Sequence, residues 1–139
     1  TSQLRKLPGW LKRREEIAHR YQTALGDFDC LDTPKVRAGC SSAWHLYVVR
    51  LRLEHLTVGR AQFFQAMRAE QIGVNVHYIP IPWMSHYQSL GYTKGQWPVA
   101  EGEYERMLSL PIFPAMTDED VDDVIAAIYK VSDAYRRRA

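Results

Sequence analysis

The sequence predicts an α+β domain in which helices cover a short, mostly antiparallel sheet. Three observations support this class. Apolar residues recur at helical spacing near both ends of the chain, and a strand-like apolar run lies in its first half. The predicted elements follow in the order helix, strand, helix, strand, loop, helix, short strand, helix. The length of 139 residues, 46% of them hydrophobic, fits one domain with its own core.

The first predicted element is an amphipathic helix. From Leu7 to Leu25, apolar residues recur at spacings near three, four and seven, with charged residues between them. Pro8 suits the first helical turn, and Gly26 suits the stop. The following segment, residues 27–42, carries Asp, Pro, Gly and Ser and predicts a loop with room for a short strand.

A strand and a second helix follow. Residues 44–53 predict a strand whose two faces are both partly covered. The second helix is predicted from Val58 to Gln71, with Thr57 as its N-cap, and residues 74–79 predict another short strand. Four residues are predicted to form the buried stripe of this helix: Ala61, Phe63, Phe64 and Met67.

The segment from Pro80 to Pro98 has a different character. Its prolines and glycines disfavour regular structure, while its aromatic residues are atypical of a disordered linker. Four aromatic side chains mark it: Trp83, Tyr87, Tyr92 and Trp97. An ordered, aromatic-rich loop of this length is often functional.

Two helices and an extended piece complete the chain. A third helix is predicted from Pro98 to about Leu108, and residues 109–114 are predicted to be extended. Thr117 opens the last helix, whose first turn is acidic and whose end is basic, as the helix dipole favours. Its apolar stripe has five members: Val121, Val124, Ile125, Ile128 and Val131.

Composition excludes several classes of protein. The 18 basic and 16 acidic residues nearly balance, which argues against a dedicated nucleic-acid binder. No apolar run approaches the roughly 20 residues of a membrane span, and no signal-peptide pattern is present. Cys30 and Cys40 are too few for a zinc site and predict reduced thiols in a cytoplasmic protein, with a disulfide as the alternative. Because the chain starts at Thr1 rather than Met, we expect a piece of a longer protein.

His77 and Tyr78 are the first candidates for chemistry. Imidazole titrates near neutral pH and a phenol both donates and accepts hydrogen bonds, so the pair suits ligand contacts at the end of a strand. The alternative is a structural histidine beside a core aromatic, and the residues alone favour it. His86 and Tyr87 either line a pocket or form an exposed pair on a mobile rim.

Other candidates have a structural alternative that we favour. Trp83 and Trp97 could stack on a planar ligand, but the stronger interpretation is that they fasten the loop to the core. Glu101 either pairs with a base or holds the loop, and we favour the second. The run 136–138 predicts a solubilising tail. The first helix carries six basic residues that could bind phosphate: Arg5, Lys6, Lys12, Arg13, Arg14 and Arg20. Because glutamates interrupt this set, we favour a solvated helix face over a phosphate site.

The sequence lacks a complete catalytic apparatus. It has no Gly-rich phosphate loop, no GxSxG elbow and no metal-spaced His/Glu cluster. The chain has five lysines: Lys6, Lys12, Lys35, Lys94 and Lys130. None of them has sequence neighbours that predict a buried, activated amine for Schiff-base chemistry. From the residues alone, a stand-alone binding or regulatory module is one alternative. A small nucleic-acid binder, with affinity that collapses in salt, is another.

Five segments, taken in order, carry a resemblance to a known family. They are Gly73–Pro80, Tyr87–Tyr92, Trp97–Glu101, Leu108–Pro114 and Met116–Thr117. Together they resemble the C-terminal domain of the DegT/DnrJ/StrS sugar-nucleotide aminotransferases. The VHYIP form most resembles the branch that aminates a UDP-4-keto-6-deoxy-N-acetylhexosamine on the route to pseudaminic acid.

The resemblance implies a part of a larger enzyme. Residues 1–139 would form the small C-terminal domain of a fold-type-I, pyridoxal-phosphate-dependent homodimer, with 1–26 as the linking helix. The full-length enzyme would move an amino group from glutamate to a nucleotide-linked keto sugar, in cell-surface polysaccharide or nonulosonic acid biosynthesis. The Schiff-base lysine and most cofactor contacts belong to a large domain that this sequence lacks. We therefore expect neither activity nor bound cofactor from this chain alone, and no nucleic-acid or membrane partner.

The resemblance also implies that the HY-x-P segment faces the sugar nucleotide. It implies substrate binding for five residues: His77, Tyr78, Pro80, His86 and Tyr87. No catalytic, cofactor-binding or metal-binding residue is expected here. The sequence departs from the family at Pro82 and Met84, which stand where many relatives have histidine and glutamine. The reaction class follows from the resemblance, and the choice of sugar stays open.

Overall fold

The computed structural model describes residues 2–138, so the chain start at Thr1 lies outside the described residues. The predicted α+β class is confirmed. The helices are α1 (Ser2–Leu25), α2 (Arg60–Ala69), α3 (Ser85–Ser89), α4 (Pro98–Arg106) and α5 (Asp118–Tyr135). The strands are β1 (Leu31–Asp32), β2 (Tyr47–Leu51) and β3 (Met107–Leu110), and short 3-10 turns cover Leu53–His55 and Ile81–Trp83.

The sheet has three strands in the order β1-β2-β3, with both pairs antiparallel. In β2, Tyr47, Val49 and Leu51 are buried, whereas Arg50 is exposed. This alternation follows from the period of two in a strand, which sends successive side chains to opposite faces. The Tyr47 ring lies 5.1 Å from the Tyr21 ring of α1, and Arg50 lies 3.6 Å from Glu103 of α4. Helices α1 and α4 therefore cover opposite faces of the sheet.

The core lies between the sheet and the longer helices. The last helix begins as predicted, because the Thr117 side chain accepts the Asp120 N–H and the Asp120 carboxylate accepts the Thr117 N–H. The second half of α1 contributes Ile17, Ala18, Tyr21 and Leu25 to the core, and α5 contributes Val121, Val124, Ala127, Ile128 and Val131. Helix α2 adds Phe63 and Met67, both fully buried.

Two predicted helix starts are wrong. Helix α1 begins at Ser2, so Pro8 lies inside it; a proline removes one intrahelical hydrogen bond, and the helix continues on both sides of it. Helix α2 begins at Arg60 with Gly59 as its N-cap, not with Thr57. The Thr57 N–H and hydroxyl both donate to the Tyr135 carbonyl instead, at 2.8 and 3.0 Å. Thr57 thus satisfies a carbonyl at the end of α5.

Three further local predictions are corrected. Residues 74–79 do not form a strand; only Asn75 pairs, through a single bridge to Ser109. The third helix ends at Arg106 because residues 107–110 pair with β2, so the extended piece starts earlier than predicted. Ala61 faces solvent and is no part of the buried stripe of α2.

The two cysteines lie in different environments. Cys30 is buried and Cys40 is exposed, and no disulfide joins them. Burial raises the pKa of the Cys30 thiol to about 11, and its contact with Asp29 acts in the same direction. Within residues 2–138, no helix is both long and apolar enough to cross a membrane.

Candidate functional site

The candidate site is the segment 77–97, hereafter the aromatic segment, which runs from the Asn75–Ser109 bridge to the start of α4. The segment is ordered, as its composition predicts, but the expectation that it lacks regular structure is wrong, because it contains the 3-10 turn Ile81–Trp83 and the short helix α3. Large apolar side chains on it face solvent: Tyr78, Ile79, Ile81, Met84, Tyr87, Leu90 and Tyr92. A surface this rich in exposed apolar groups is typical of a contact site.

His77 is fixed from one side. Its Nδ1 lies 2.9 Å from the Oγ of Ser109, which is buried in β3. The backbone of Ser109 pairs with Asn75, so the strand and the histidine hold the start of the aromatic segment together. With Nδ1 engaged, Nε2 is the ring nitrogen left for a ligand, since each imidazole nitrogen makes its own hydrogen bond. The His77–Tyr78 peptide bond is cis.

Tyr78 is 70% exposed, and its ring meets the His77 ring edge-on at 4.8 Å. The alternative that Tyr78 is a core aromatic is therefore wrong. Pro80 is buried, and its carbonyl accepts the Trp83 N–H at 2.8 Å. Pro80 thus anchors the turn from the inside, while Tyr78 stands outside beside His77.

His86 and Tyr87 lie together on α3 and both are exposed. Their rings meet edge-on at 5.4 Å, and Tyr87 also contacts Tyr92 at 6.0 Å. In the described part of the chain, no ring contact joins this pair to His77 and Tyr78. The structure therefore presents the predicted binding residues as two separate pairs on one segment, with Pro80 buried between them in sequence.

The two tryptophans fasten the aromatic segment to its surroundings. Trp83 meets Tyr104 of α4 edge-on at 5.4 Å, and the Lys94 ammonium lies 4.2 Å from the centre of the Trp83 ring. Trp97 packs against Tyr92 at 5.3 Å. Both tryptophans are half-buried. Their faces are occupied by the protein itself, which favours the fastening role over stacking on a ligand.

Glu101 holds the end of the segment. Both of its carboxylate oxygens lie 2.8 Å from the Gly95 N–H nitrogen, and Oε1 also accepts the Trp97 N–H at 3.2 Å. Burial acts to raise the pKa of the Glu101 carboxyl, but the backbone N–H groups of Gly95 and Trp97 hold it below its ordinary value. This geometry supports the loop-holding interpretation of Glu101.

The stability that Glu101 contributes is expected to depend on pH. Because the pKa of the folded carboxyl lies below the ordinary 4.5, the contribution is complete above that pH and is lost as the pH falls through the lowered pKa. In urea unfolding, the difference in midpoint between the wild type and Glu101→Gln should therefore shrink between about pH 6 and about pH 3. A difference of the same size at both pH values would contradict this account.

Several of the basic residues are engaged within the protein, whereas Arg5, Lys6 and Lys12 are exposed, as a solvated face predicts. Arg13 donates to the Met116 carbonyl at 2.7 Å and to Asp118 at 2.8 Å, and Arg14 donates to the Ile112 carbonyl at 3.0 Å. The prediction of a merely solvated face is wrong for Arg13 and Arg14, and also for Arg20, which donates to the Asp118 carbonyl at 3.2 Å. The predicted tail is wrong as well. Arg136 pairs with Asp29 at 3.0 Å, and Arg137 donates to the Leu56 carbonyl at 2.7 Å.

The described residues do not fit pyridoxal phosphate. All five lysines are exposed on the surface, with Lys94 over a tryptophan ring and Lys130 paired with Glu70. A Schiff-base lysine is activated in a desolvated pocket, and none of the five exposed lysines lies in one. Among residues 2–138, no cluster of His, Cys, Asp and Glu could hold a metal ion.

A cavity of about 620 Å³ lies away from the aromatic segment. The first half of α1 and the segment after β3 form it, and it includes none of the predicted binding residues. Its lining is mainly apolar: Leu7, Trp10, Leu11, Ala43, Phe113, Pro114 and Ala115, with Arg14 and His45. The aromatic segment therefore does not line this cavity.

Ser109 is the site residue that the sequence did not reveal. It contacts His77 from 32 positions away, and the only sign of it in the sequence is a polar residue within an otherwise apolar strand. A serine in a strand is more often structural than functional, so the sequence did not single out Ser109. The pairing of β3 with β2 and with Asn75 is what brings it to the histidine.

The chain is similar to known proteins both in its family model and in individual sequences. The family model of the DegT/DnrJ/EryC1/StrS aminotransferase family matches residues 1–129. The spore coat polysaccharide biosynthesis protein SpsC of Bacillus subtilis is 44% identical over 128 residues, which are 91% of this chain and 33% of SpsC. The chain spans about a third of the length of the curated relatives it matches.

Solved structures share the fold. One is PseC, the Helicobacter pylori aminotransferase involved in the biosynthesis of pseudoaminic acid. It matches with a TM-score of 0.87 and 26% identity, over 96% of this chain and 36% of PseC. The PLP form of Spr1654 from Streptococcus pneumoniae matches with a TM-score of 0.87 and 29% identity, over 96% of this chain and 34% of that one.

Proposed function

We propose, from the premise that this chain belongs to the DegT/DnrJ/EryC1/StrS aminotransferase family, that it is the substrate-facing small domain of a sugar-nucleotide aminotransferase. The intact enzyme transfers an amino group from glutamate to a nucleotide-linked keto sugar. The observation that carries the proposal is the aromatic segment. It is held by β3 and α4, yet Tyr78 is exposed on it, and the half-buried His77 uses only Nδ1 for its hydrogen bond to Ser109.

The cofactor belongs to residues outside this chain. Pyridoxal phosphate, when bound, supplies the electron sink that transamination requires. The exposed lysines described above do not suit it, and this chain covers about a third of its curated relatives. We therefore place the Schiff-base lysine in a further domain of the intact protein, and we expect this chain alone to be inactive and free of cofactor.

The chain's own residues bind and orient the sugar nucleotide. The Nε2 of His77 is suited to a hydrogen bond with a sugar or phosphate oxygen, because Ser109 already engages Nδ1. The hydroxyl of Tyr78, on an exposed ring, can donate to the same group. His86 and Tyr87 on α3 extend the contact more loosely, while Pro80 supports it from behind. Such a domain also excludes water as it closes over the reacting centre.

The finer assignment is to a 4-keto-6-deoxy sugar linked to UDP, as on the route to pseudaminic acid. The VHYIP form of residues 76–80 motivates it, and the structural match to PseC supports it at the level of the fold. Pro82 and Met84 depart from the family pattern, so the sugar contacts on this side differ from those of many relatives. We propose in addition that the intact enzyme is a cytoplasmic homodimer.

The test is an assay of the intact protein with pyridoxal phosphate, glutamate and a UDP-linked 4-keto-6-deoxy sugar, followed by mass spectrometry. The proposed function predicts an amino sugar product and 2-oxoglutarate in equal amounts. The same assay with the corresponding 4-hydroxy sugar is the control, because it offers no carbonyl to aminate. No product from any nucleotide-linked keto sugar would refute the proposal, and product from a different keto sugar would refute only the finer assignment.

A further inference from the structure

Glu101 is the meeting point of several contacts that the proposed function does not use. Its carboxylate sits at the start of α4, where the helix dipole favours negative charge. It accepts the N–H groups of Gly95 and Trp97, which close the turn just before the helix. Gly95 has a φ of +92°, a conformation that glycine adopts without strain.

The held turn is connected to the exposed rings of the segment. Glu101 accepts the backbone N–H of Trp97, and the Trp97 ring packs on the Tyr92 ring with their centres 5.3 Å apart. The Tyr92 ring in turn lies 6.0 Å from the Tyr87 ring of α3. One turn further along α4, Tyr104 holds the ring of Trp83. Residues three apart on a helix share a face, so Glu101 and Tyr104 contact the aromatic segment from the same side of α4.

We propose that Glu101 is a positioning residue that fixes α3, with His86 and Tyr87, for contact with the nucleotide sugar; this inference rests on the proposed function. Glu101 acts through the backbone of the turn and through the chain of rings, and it does not touch the substrate. A segment that is already ordered loses less conformational entropy when the ligand binds. Loss of the carboxylate therefore weakens binding of the nucleotide sugar and leaves the chemical step intact.

The experiment compares Glu101→Gln with Glu105→Gln in the intact protein. Glutamine keeps the size of the side chain and one acceptor oxygen, so the fold is retained. Glu105 is an exposed residue of the same helix and serves as the matched control. For Glu101→Gln we expect the KM for the nucleotide sugar to rise about tenfold with kcat within about twofold, the pattern of lost uniform binding. Glu105→Gln should change neither.

A second readout reports the turn itself. Hydrogen exchange of the peptide that covers residues 93–97, measured by mass spectrometry, should be faster in Glu101→Gln than in the wild type and unchanged in Glu105→Gln. Faster exchange with an unchanged KM would overturn the positioning role, and so would a fall in kcat at constant KM. Unchanged exchange would overturn the turn-holding step. An intact protein that neither binds nor aminates a nucleotide sugar would refute the proposed function instead, and exchange would still report the turn.

Discussion

Replacing Phe63 with alanine is expected to lower the free energy of unfolding by about 3–5 kcal/mol. Phe63 is fully buried in the core and projects from α2, the helix that also packs against α5 and β3. Alanine removes the whole ring, and a packed interior closes such a cavity only in part. Urea unfolding of the chain, followed by circular dichroism, measures the change.

Phe64 provides the matched control for this substitution. It is the next residue on the same helix but only half-buried, because successive residues of a helix point about 100° apart. Phe64→Ala should therefore cost clearly less than Phe63→Ala. If Phe63→Ala does not fold, Phe63→Leu provides the comparison, with an expected cost of about 1 kcal/mol. A Phe64 variant as damaged as the Phe63 variant would contradict the orientation of α2.

Replacing His77 with alanine is expected to lower kcat/KM of the intact enzyme for the nucleotide sugar by about 10- to 100-fold. This is the loss expected when one hydrogen bond to a charged group is removed. The half-buried ring makes its one hydrogen bond within the described chain through Nδ1, so the fold should survive the change. Steady-state kinetics with varied nucleotide sugar measures the effect.

Two further variants show whether the effect belongs to the site. His19→Ala removes an exposed histidine on α1, far along the chain from the aromatic segment, and should leave kcat/KM unchanged. Ser109→Ala removes the partner of Nδ1 and should cause a smaller loss than His77→Ala, since the ring remains but is less well oriented. A His77→Ala enzyme with wild-type affinity and turnover would contradict the assigned role.

The helices were predictable where the signal is local. The capping residue, acidic first turn and apolar stripe of α5 lie within one stretch of sequence, and the structure confirms all three, with Ile125 only half-buried. The strands were less predictable because pairing partners are distant in sequence. Residues 74–79 have strand-like composition but find one bridge only, while β3 pairs with β2 along its whole length.

The candidate site shows the same division. The aromatic segment was predictable from its composition, and Tyr78 and His86 lie exposed on it. The partner of His77 was not, because Ser109 reaches it only through the β3 pairing. Glu101 lies six residues after Gly95, so its interaction is local and the sequence allowed the holding role to be inferred.

The most direct test of the central claim is a crystal structure of the intact protein with its nucleotide sugar bound. We predict that the Nε2 of His77 lies within about 3 Å of a sugar or phosphate oxygen. We also predict that α3 faces the same ligand and that Glu101 still accepts the N–H groups of Gly95 and Trp97. A nucleotide sugar bound at a site that residues 77–87 do not approach would contradict the account.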